Sequence, residues 1–240
     1  MKKRQSSLFK KVLLTFMVSI LTLFMSGCSS SINQMSIEKV CKALEEKYGE
    51  EFEVTKLGDR INTGHTKFQM NPVNNKEIVF EATMDNDDGV VVDSYVRASV
   101  ANRVEKEIKN LLEKIDIKTE LIISLSCKDL REERNTKLSL WDLVKNYSCK
   151  KIFIDLPLNE NDYSEEKVNE IMGLLKKFRN YYGVNINGFL YRIPNEAYDK
   201  CLGDLNTYYM VSDTWFRQYG LKEKYSFSIN ENNIKVRLSY

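Results

Sequence analysis

Apolar positions in residues 36–115 recur with two periods, one helical and one extended. The first helix is predicted from apolar residues spaced i, i+3, i+4 and i+7, namely Ile37, Val40, Cys41 and Leu44. Ser36 is placed to cap its start. Gly49 is placed to end it, because glycine readily adopts the left-handed conformation of a C-terminal cap.

Four strand-like segments follow, and apolar residues alternate with polar ones in the first three: EFEVTKL, TKFQM, EIVFEATM and VVVDSYV. Short polar links join them, which is typical of an antiparallel meander with one covered face. A long helix is then predicted by an apolar stripe of Val96, Val100, Val104, Ile108, Leu111, Leu112 and Ile115. Residues 36–115 are therefore predicted to form an α+β unit of a helix, a four-strand meander and a second helix.

Residues 116–240 alternate predicted strands with predicted helices. The strands are TELIISLS, KIFIDL and VNINGFLYRI, and Pro157 is expected to end the second of them. Helix starts are predicted at three residues with capping or first-turn chemistry, Ser139, Ser164 and Pro194. A hairpin of YSFSI and IKVRLSY closes the chain. No linker rich in Gly, Pro or Ser lies near residue 116, so this α/β-like unit is expected to pack with the first.

The first 28 residues have the organisation of an export signal. Residues 1–11 carry five cations and no acid, residues 12–25 are uncharged and almost entirely apolar, and Ser26, Gly27 and Cys28 follow. A cationic start, a short apolar core and small residues before a cleavage point predict a secretory signal peptide. The apolar core is too short to span about 30 Å of hydrocarbon comfortably as a helix.

Met25-Ser26-Gly27-Cys28 resembles the lipobox of bacterial lipoproteins, in which the cysteine receives a diacylglyceryl group and the peptidase cuts just before it. Met25 stands where that family more often has Leu, and it is an apolar residue of similar size. The resemblance implies cleavage between Gly27 and Cys28, lipid on Cys28 and a polar tether at residues 28–35. It places the mature chain on the outer face of the cell membrane, held by two acyl chains, because one chain alone binds only marginally.

Two other interpretations of this N-terminus stay open from the sequence: an uncleaved membrane anchor, and an ordinary signal peptide with an incidental cysteine. The segment YGEEFEV is also similar to segments of uncharacterised lipoproteins from Gram-positive bacteria. That likeness supplies no activity.

Removal of the signal peptide changes the charge of the chain. The precursor has 36 Lys and Arg against 34 Asp and Glu, a formal charge of +2. The five cations of residues 1–11 leave with the peptide and no acid does, so the mature 213 residues have 31 cations, 34 acids and a charge of −3. The basic residues are interleaved with acids, so nucleic-acid binding is not expected.

The single histidine, His65, excludes sites that need two or more imidazoles, among them most zinc hydrolases. No nucleophile motif accompanies it. Residues 85–89 resemble the start of a calcium loop, but Gly89 falls at the fifth position and Val96 at the twelfth, so a hairpin turn is favoured. No catalytic, cofactor-binding or metal-binding residue is assigned from the sequence.

With Cys28 assigned to lipid, four cysteines remain: Cys41, Cys127, Cys149 and Cys201. Buried free thiols, disulfides and, least favoured by the spacing, a metal cluster are the alternatives for them. Cys41 and Cys201 lie on apolar stripes of predicted helices. Cys127 and Cys149 flank a connection that contains a predicted helix, and they form the candidate disulfide.

The C-terminal third is rich in aromatic residues, which either fill a core or form a surface for a sugar or peptide: Tyr191, Tyr198, Tyr208, Tyr209, Trp215, Phe216, Tyr219, Tyr225 and Phe227. Core packing is favoured. The functional hypothesis is a non-enzymatic, membrane-anchored extracytoplasmic lipoprotein that binds a protein, peptide or envelope component. The alternatives are a carboxylate-dependent envelope hydrolase, which requires two acids to converge in one cleft, and an accessory subunit of a membrane complex.

Overall fold

The part of the chain that the computed structural model describes consists of residues 29–58, 64–128, 130–205 and 211–239. Side chains are described from residue 34 onward. Gly27 and Cys28, the predicted cleavage and lipidation sites, lie outside these residues, as do Tyr208 and Tyr209.

The first half of the described chain forms two helices and a four-stranded sheet. Their bounds are α1 (Ser29–Tyr48), β1 (Phe52–Leu57), β2 (His65–Pro72), β3 (Phe80–Asp85), β4 (Val91–Asp93) and α2 (Tyr95–Glu113). The strands are antiparallel and adjacent in sequence order, as the alternating pattern predicts. One face of this sheet is covered by α1, and the buried side chains between them include Phe68, Met70, Phe80, Ala82, Val40 and Leu44.

Helix α1 begins at Ser29, well ahead of the predicted start at Ser36. The predicted polar tether is therefore helical from Ser29 onward. This run contains no Gly or Pro, and an existing helix adds residues at little cost, so the turns that pack through Val40 extend toward the N-terminus. The predicted end is confirmed: Gly49 has a φ of 72° and donates its N–H to the carbonyl of Glu45.

The fourth strand is shorter than predicted, because the segment VVVDSYV contains the start of α2. Oδ1 of Asp93 accepts a hydrogen bond from the N–H of Tyr95 at 2.9 Å. The hydroxyl of Ser94 bonds both the N–H and the carbonyl of Glu81 at 3.1 Å. These side-chain bonds end the strand and turn the chain into the helix. Gly89, with a φ of 74°, lies in the predicted hairpin turn before β4.

The second half forms a five-stranded sheet with helices on both faces. Its elements are β5 (Ile122–Ser126), α3 (Leu140–Asn146), β6 (Lys151–Asn159), α4 (Glu165–Tyr182), β7 (Asn185–Ile193), α5 (Asn195–Leu205), α6 (Asp213–Arg217), β8 (Glu223–Ile229) and β9 (Ile234–Ser239). The strand order is β5-β6-β7-β8-β9, with β6 and β7 parallel and every other pair antiparallel. The chain therefore has an α+β fold, as predicted.

The predicted caps at Ser139 and Ser164 and the C-terminal hairpin are confirmed, whereas Pro194 lies just before its helix and not in the first turn. Ser139 and Asp142 form a capping box at the start of α3, and the hydroxyl of Ser164 accepts from the N–H of Lys167 at the start of α4. Helix α5 follows Pro194, and β8 and β9 form the closing hairpin. Helix α6 has no counterpart among the predicted elements.

Pro157 does not end β6, contrary to the prediction, and the strand continues to Asn159. On one side, β5 pairs with β6 only as far as Asp155, so the N–H that proline lacks has no described strand to bond there. On the other side, Pro157 stays in register with Tyr191 of β7. Its carbonyl accepts a hydrogen bond from the hydroxyl of Thr119 at 2.7 Å.

Helix α2 belongs to both halves of the molecule. At its N-terminal end, Tyr95 and Ala98 pack in the core of the first sheet. Farther along, its apolar stripe packs in the core of the second sheet through Val100, Val104, Ile108 and Leu112. A boundary between the two units is predicted after residue 115. Most of the apolar stripe of α2 packs in the core of the second sheet, so this boundary separates the helix from that core.

Candidate ligand cleft beside strand β5

A cleft of about 580 Å³ lies beside β5. One wall is the flank of α2 with Arg97, Asn102 and Glu105, and the other is the connection between β2 and β3, residues 74–79. Residues 121–125 form its floor, and Leu205, the last residue of α5, also lines it. This volume is within the range of pockets that bind small molecules or short peptide segments.

The floor of the cleft is a strand edge. Strand β5 pairs with β6, and no strand of the described residues pairs with its other edge. Along an antiparallel pair, alternate residues direct their N–H and C=O groups away from the partner. The outer edge of β5 therefore offers main-chain donors and acceptors over about 17 Å, the length of a five-residue strand.

Charged side chains of both signs line the walls. Nζ of Lys106 lies 2.6 Å from Oε2 of Glu77, which joins α2 to the opposite wall. Nζ of Lys109 lies 3.8 Å from Oε1 of Glu105 and also contacts Oε2 of Glu120. These three acidic residues thus each have a lysine partner.

Glu105 has the most altered carboxyl group in the cleft. Burial raises its pKa to about 7, the ammonium of Lys109 opposes this, and the carboxylates of Glu120 and Glu77 add to it. A carboxyl group in this range exchanges its proton near neutral pH. Two acids, Glu105 and Glu120, therefore converge in one cleft, with an ammonium group between them.

Arg97 is the cation of the cleft that has no acidic partner among the described residues. Its Nε is buried and has no hydrogen-bond partner among the described residues. No described carboxylate forms a salt bridge with its guanidinium group, in contrast to Lys106 and Lys109. A buried donor left without an acceptor is a recognised mark of a position that a ligand or water satisfies.

His65 lies apart from this cleft. It is on β2, and its Nδ1 is 3.3 Å from Oδ2 of Asp85, the opposite residue on β3. More than half of its side chain is exposed. Among the described residues, no group of three or more His, Cys, Asp or Glu is arranged to hold a metal ion.

The candidate disulfide residues lie at the far end of β5. The thiols of Cys127 and Cys149 are close enough to shift each other's pKa, and the guanidinium of Arg97 is close enough to influence both. Cys149 is buried and Cys127 is half-buried, and both are reduced in this structure. Cys41 and Cys201 pack in two other apolar clusters.

Most of the C-terminal aromatic residues fill the interior, as predicted. Those that are buried are Tyr191, Tyr198, Phe216, Tyr219 and Phe227. Trp215 and Tyr225 are partly buried. These side chains therefore form no exposed stacking surface.

A second polar cluster lies on the face of the second sheet that α5 and α6 cover. The hydroxyl of Tyr191 bonds Oδ1 of Asp155 at 3.1 Å and Oδ1 of Asp213 at 3.2 Å. Nζ of Lys224 contacts the other oxygen of Asp213. Burial raises the pKa of Asp155 to about 6, although the hydroxyl of Tyr191 opposes this.

Comparison with known proteins concerns the fold. A scan against protein-family models finds no match, and a search of curated proteins finds no significant relative. The chain is similar to the crystal structure of a DUF5037 family protein from Ruminococcus gnavus ATCC 29149, with a TM-score of 0.59 and 15% identity. The match covers 82% of this chain and 92% of that chain. At this level of identity, the likeness shows a shared fold.

None of the described helices is both long enough and apolar enough to cross a membrane. The residues of the cleft, Arg97, Glu105, Lys109 and Glu120, were not singled out from the sequence. Their sequence pattern indicates only the polar side of an amphipathic helix and the start of a strand. The position of β5 in the fold brings them together.

Proposed function

We propose that this chain is a lipid-anchored extracytoplasmic binding protein that holds an extended peptide segment of an envelope protein against the outer edge of β5. The observation that carries the proposal is that this edge forms the floor of the cleft. An extended peptide that adds a strand to a sheet edge gains affinity from main-chain hydrogen bonds and specificity from alternate side chains. Strand β5 offers such bonds over its five residues.

The charges of the cleft favour a peptide with an acidic group. The acids Glu77, Glu105 and Glu120 have lysine partners, whereas Arg97 has no carboxylate partner among the described residues. A guanidinium group binds a carboxylate with two parallel hydrogen bonds. An Asp or Glu side chain of the peptide, or its C-terminal carboxylate, supplies the acceptor that Arg97 lacks.

Two tryptophan substitutions on α2 test the peptide site. Asn102 lines the cleft, whereas Asn110 is exposed and lies outside it. The probes are fluorescent six-residue peptides rich in Val and Thr with one acidic side chain, measured by anisotropy with the full chain in detergent. We expect peptides from this set to bind, Asn102→Trp to weaken their binding at least about tenfold, equivalent to about 1.4 kcal/mol, and Asn110→Trp to leave it unchanged.

Peptides in which alternate backbone nitrogens are methylated provide the second control. They keep every side chain but lose the donors that a strand edge requires. Equal binding of methylated and unmethylated peptides, or equal effects of the two tryptophan variants, would show that the ligand does not pair with β5.

The anchoring part of the proposal has its own test. The lipobox-like segment places lipid on Cys28, so Cys28→Ala is expected to abolish incorporation of labelled palmitate and to leave unprocessed precursor. Cys41→Ala is the matched control and is expected to be lipidated and processed normally. Lipid incorporation into Cys28→Ala, or normal cleavage of it, would exclude this anchor.

A second candidate function, a carboxylate-dependent hydrolase of an envelope polymer or peptide, is favoured by the pKa of Glu105, about 7. A carboxyl group in this range suits general acid catalysis at neutral pH. The Lys109 ammonium already contacts both Glu105 and Glu120, so neither carboxyl group stands without a partner as a catalytic acid would. We therefore prefer binding to hydrolysis. If the full chain cleaves labelled cell-wall fragments or the probe peptides, and Glu105→Gln abolishes the cleavage while Glu113→Gln does not, hydrolysis replaces binding as the function.

A further inference from the structure

Cys127 and Cys149 face each other where β5 and β6 begin to separate. The last paired residues are Ser126 and Lys151. The N–H of Lys150 donates to the carbonyl of Ser126 at 3.3 Å on one side of the cysteines, and the N–H of Lys128 donates to the carbonyl of Tyr147 at 2.8 Å on the other. The two cysteines are therefore enclosed between two main-chain hydrogen bonds that cross from one segment to the other.

The chain between these bonds has the two-against-one arrangement of a β-bulge. One residue, Cys127, lies between the bonds on the first segment, and two, Ser148 and Cys149, lie between them on the second. Ser148 has a φ of 49°, and this left-handed conformation accommodates the extra residue. Residues opposite each other in antiparallel segments have Cα atoms about 4.5–5.5 Å apart, which is within the range that a disulfide spans.

The two thiols are close enough to alter each other's pKa: Cys149 raises the pKa of Cys127, and Cys127 lowers the pKa of Cys149. The neighbouring Cys127 and the guanidinium of Arg97 hold the pKa of the Cys149 thiol below its usual value, although burial opposes them. Cys149 is 1% exposed, whereas Cys127 is partly exposed. One thiol is thus accessible, and the other is a buried thiolate-forming group beside it.

We propose that Cys127 and Cys149 are an oxidisable pair that forms a disulfide across the open end of β5 and β6. The oxidant is a small disulfide of the glutathione class. The neighbouring Cys149 and burial raise the pKa of Cys127, so Cys127 passes its proton to the Cys149 thiolate as its sulfur attacks one sulfur of the oxidant. The first oxidant thiolate leaves and takes this proton from Cys149, which leaves a mixed disulfide on Cys127 and a thiolate on Cys149. The Cys149 thiolate then attacks the Cys127 sulfur and displaces the second oxidant thiolate. Two protein thiols lose two electrons and two protons, and the oxidant disulfide gains them and becomes two thiols.

The disulfide closes the connection of residues 127–149, which contains α3 and the link before it. Closing a loop of this length restricts the unfolded chain, so the oxidised protein is expected to melt about 5–10 °C above the reduced protein. It also holds the end of β5, but the proposal does not depend on the peptide site or on export, because the chemistry needs only the pair and the oxidant.

The test equilibrates the purified full chain, in detergent, with oxidised and reduced glutathione. The protein is then unfolded, its free thiols are alkylated, and its peptides are mapped by mass spectrometry without reduction. We expect one crosslinked peptide that joins Cys127 to Cys149, with Cys41 and Cys201 alkylated. Alkylation of both Cys127 and Cys149, a stable glutathione adduct without a crosslink, or a crosslink to another cysteine would overturn the proposal.

Single substitutions check the assignment. Cys41→Ala and Cys201→Ala should retain the crosslink, and Cys127→Ala should lose it together with the difference in melting temperature between oxidising and reducing buffers. A difference that persists in Cys127→Ala would contradict the role of this pair. The crosslink map of the unaltered chain gives the same information if a variant does not fold.

Discussion

Two half-buried carboxyl groups, those of Glu105 and Asp155, have raised pKa values although each has a partner that favours its charged form. Glu105 has an ammonium group and two further carboxylates near it, and burial raises its pKa to about 7. Asp155 accepts a hydrogen bond from the hydroxyl of Tyr191, and burial still raises its pKa to about 6. In both, removal from water outweighs the favourable partner, which is the balance expected where a partner satisfies only part of a carboxylate.

Glu105→Gln should stabilise the protein at alkaline pH. The pKa of Glu105 in the folded state lies above its ordinary value of 4.5, so folding favours the protonated form. This contribution is complete below pH 4.5 and is lost as pH rises through 7. At pH 8 we expect Glu105→Gln to raise the free energy of unfolding by about 1–3 kcal/mol, and at pH 4 the gain should vanish.

Urea unfolding at the two pH values measures this difference. Glu113→Gln, an exposed position on the same helix, is the control and should change stability by less than about 0.5 kcal/mol at either pH. A Glu105→Gln variant that is less stable than the unaltered chain at pH 8 would mean that the contact with Lys109 outweighs the cost of burial.

Tyr191→Phe should raise the pKa of Asp155 above about 6, because it removes the hydroxyl that bonds the carboxylate at 3.1 Å and leaves the burial unchanged. Carbon NMR titration of the aspartate carboxyl groups measures the shift. Tyr219→Phe removes a comparable bond, 2.7 Å, from Asp204 and should not affect Asp155. An unchanged Asp155 titration in Tyr191→Phe would rule out this hydrogen bond as an influence on it.

At the scale of helices and strands, local chemistry accounts for most of what the sequence predicts correctly. The capping box at Ser139, the cap at Ser164 and the left-handed Gly49 each depend on neighbours a few residues away. The prediction that Pro157 ends β6 is wrong because a strand tolerates proline where no neighbour needs its N–H. That depends on where β5 ends, which is a property of the sheet and not of the local sequence. The length of α1 is mispredicted because its first turns extend from a segment that is packed farther along the helix. No residue near Ser29 signals this extension in the sequence.

The cleft could not be predicted for a similar reason. An apolar run such as TELIISLS predicts a buried strand, but it does not tell which strand lies at the sheet edge or what lies beside it. Glu105 and Lys109 read as solvated residues on a helix. Cys127 and Cys149 were paired as candidates because they flank a connection that contains a predicted helix, and the disulfide between them stays a prediction.

Gly188→Ala should disrupt the middle of the second sheet. A methyl group there would lie 2.0 Å from the carbonyl oxygen of Ile154 and 2.7 Å from Cζ of Phe227, its neighbours on β6 and β8. Since the nearer atom belongs to the backbone, the strands must move apart, and we expect a loss of at least about 2 kcal/mol in urea unfolding.

Gly173→Ala is the matched control for that substitution. Gly173 lies in α4, and apart from its chain neighbours and the backbone of its own helix, no described atom lies within 4 Å of an added methyl group. This variant should be more stable than the unaltered chain by about 0.5–1 kcal/mol, because alanine favours the helix. Similar losses in the two glycine variants would refute the close approach at Gly188.

Considered as a whole, the molecule is held together by α2. Its first turn packs with the first sheet and the rest of its stripe packs with the second. A polar contact crosses between the halves as well: Nζ of Lys47 on α1, which lies 2.8 Å from Asp93 of the same half, also lies 2.6 Å from the carbonyl oxygen of Arg131 in the second half. The cleft lies where the halves meet, so the geometry of its walls depends on this shared helix.

This sharing predicts that both halves unfold in one transition. The chain contains one histidine, His65 on β2, and two tryptophans, Trp141 and Trp215, in the second half. The imidazole NMR signal therefore reports the first sheet, and tryptophan fluorescence reports the second half. Urea midpoints from the two probes should coincide, as in a two-state transition.

The substitution Ile108→Ala tests directly whether α2 couples the unfolding of the two halves. Ile108 is 1% exposed and packs only in the core of the second sheet, so truncation should cost about 2–4 kcal/mol there. If α2 couples the halves, His65 must report the same loss as the tryptophans, although it lies in the other sheet. A His65 midpoint that stays at its original urea concentration while the fluorescence midpoint falls would mean that the two halves fold independently, and that the cleft between them has no fixed walls.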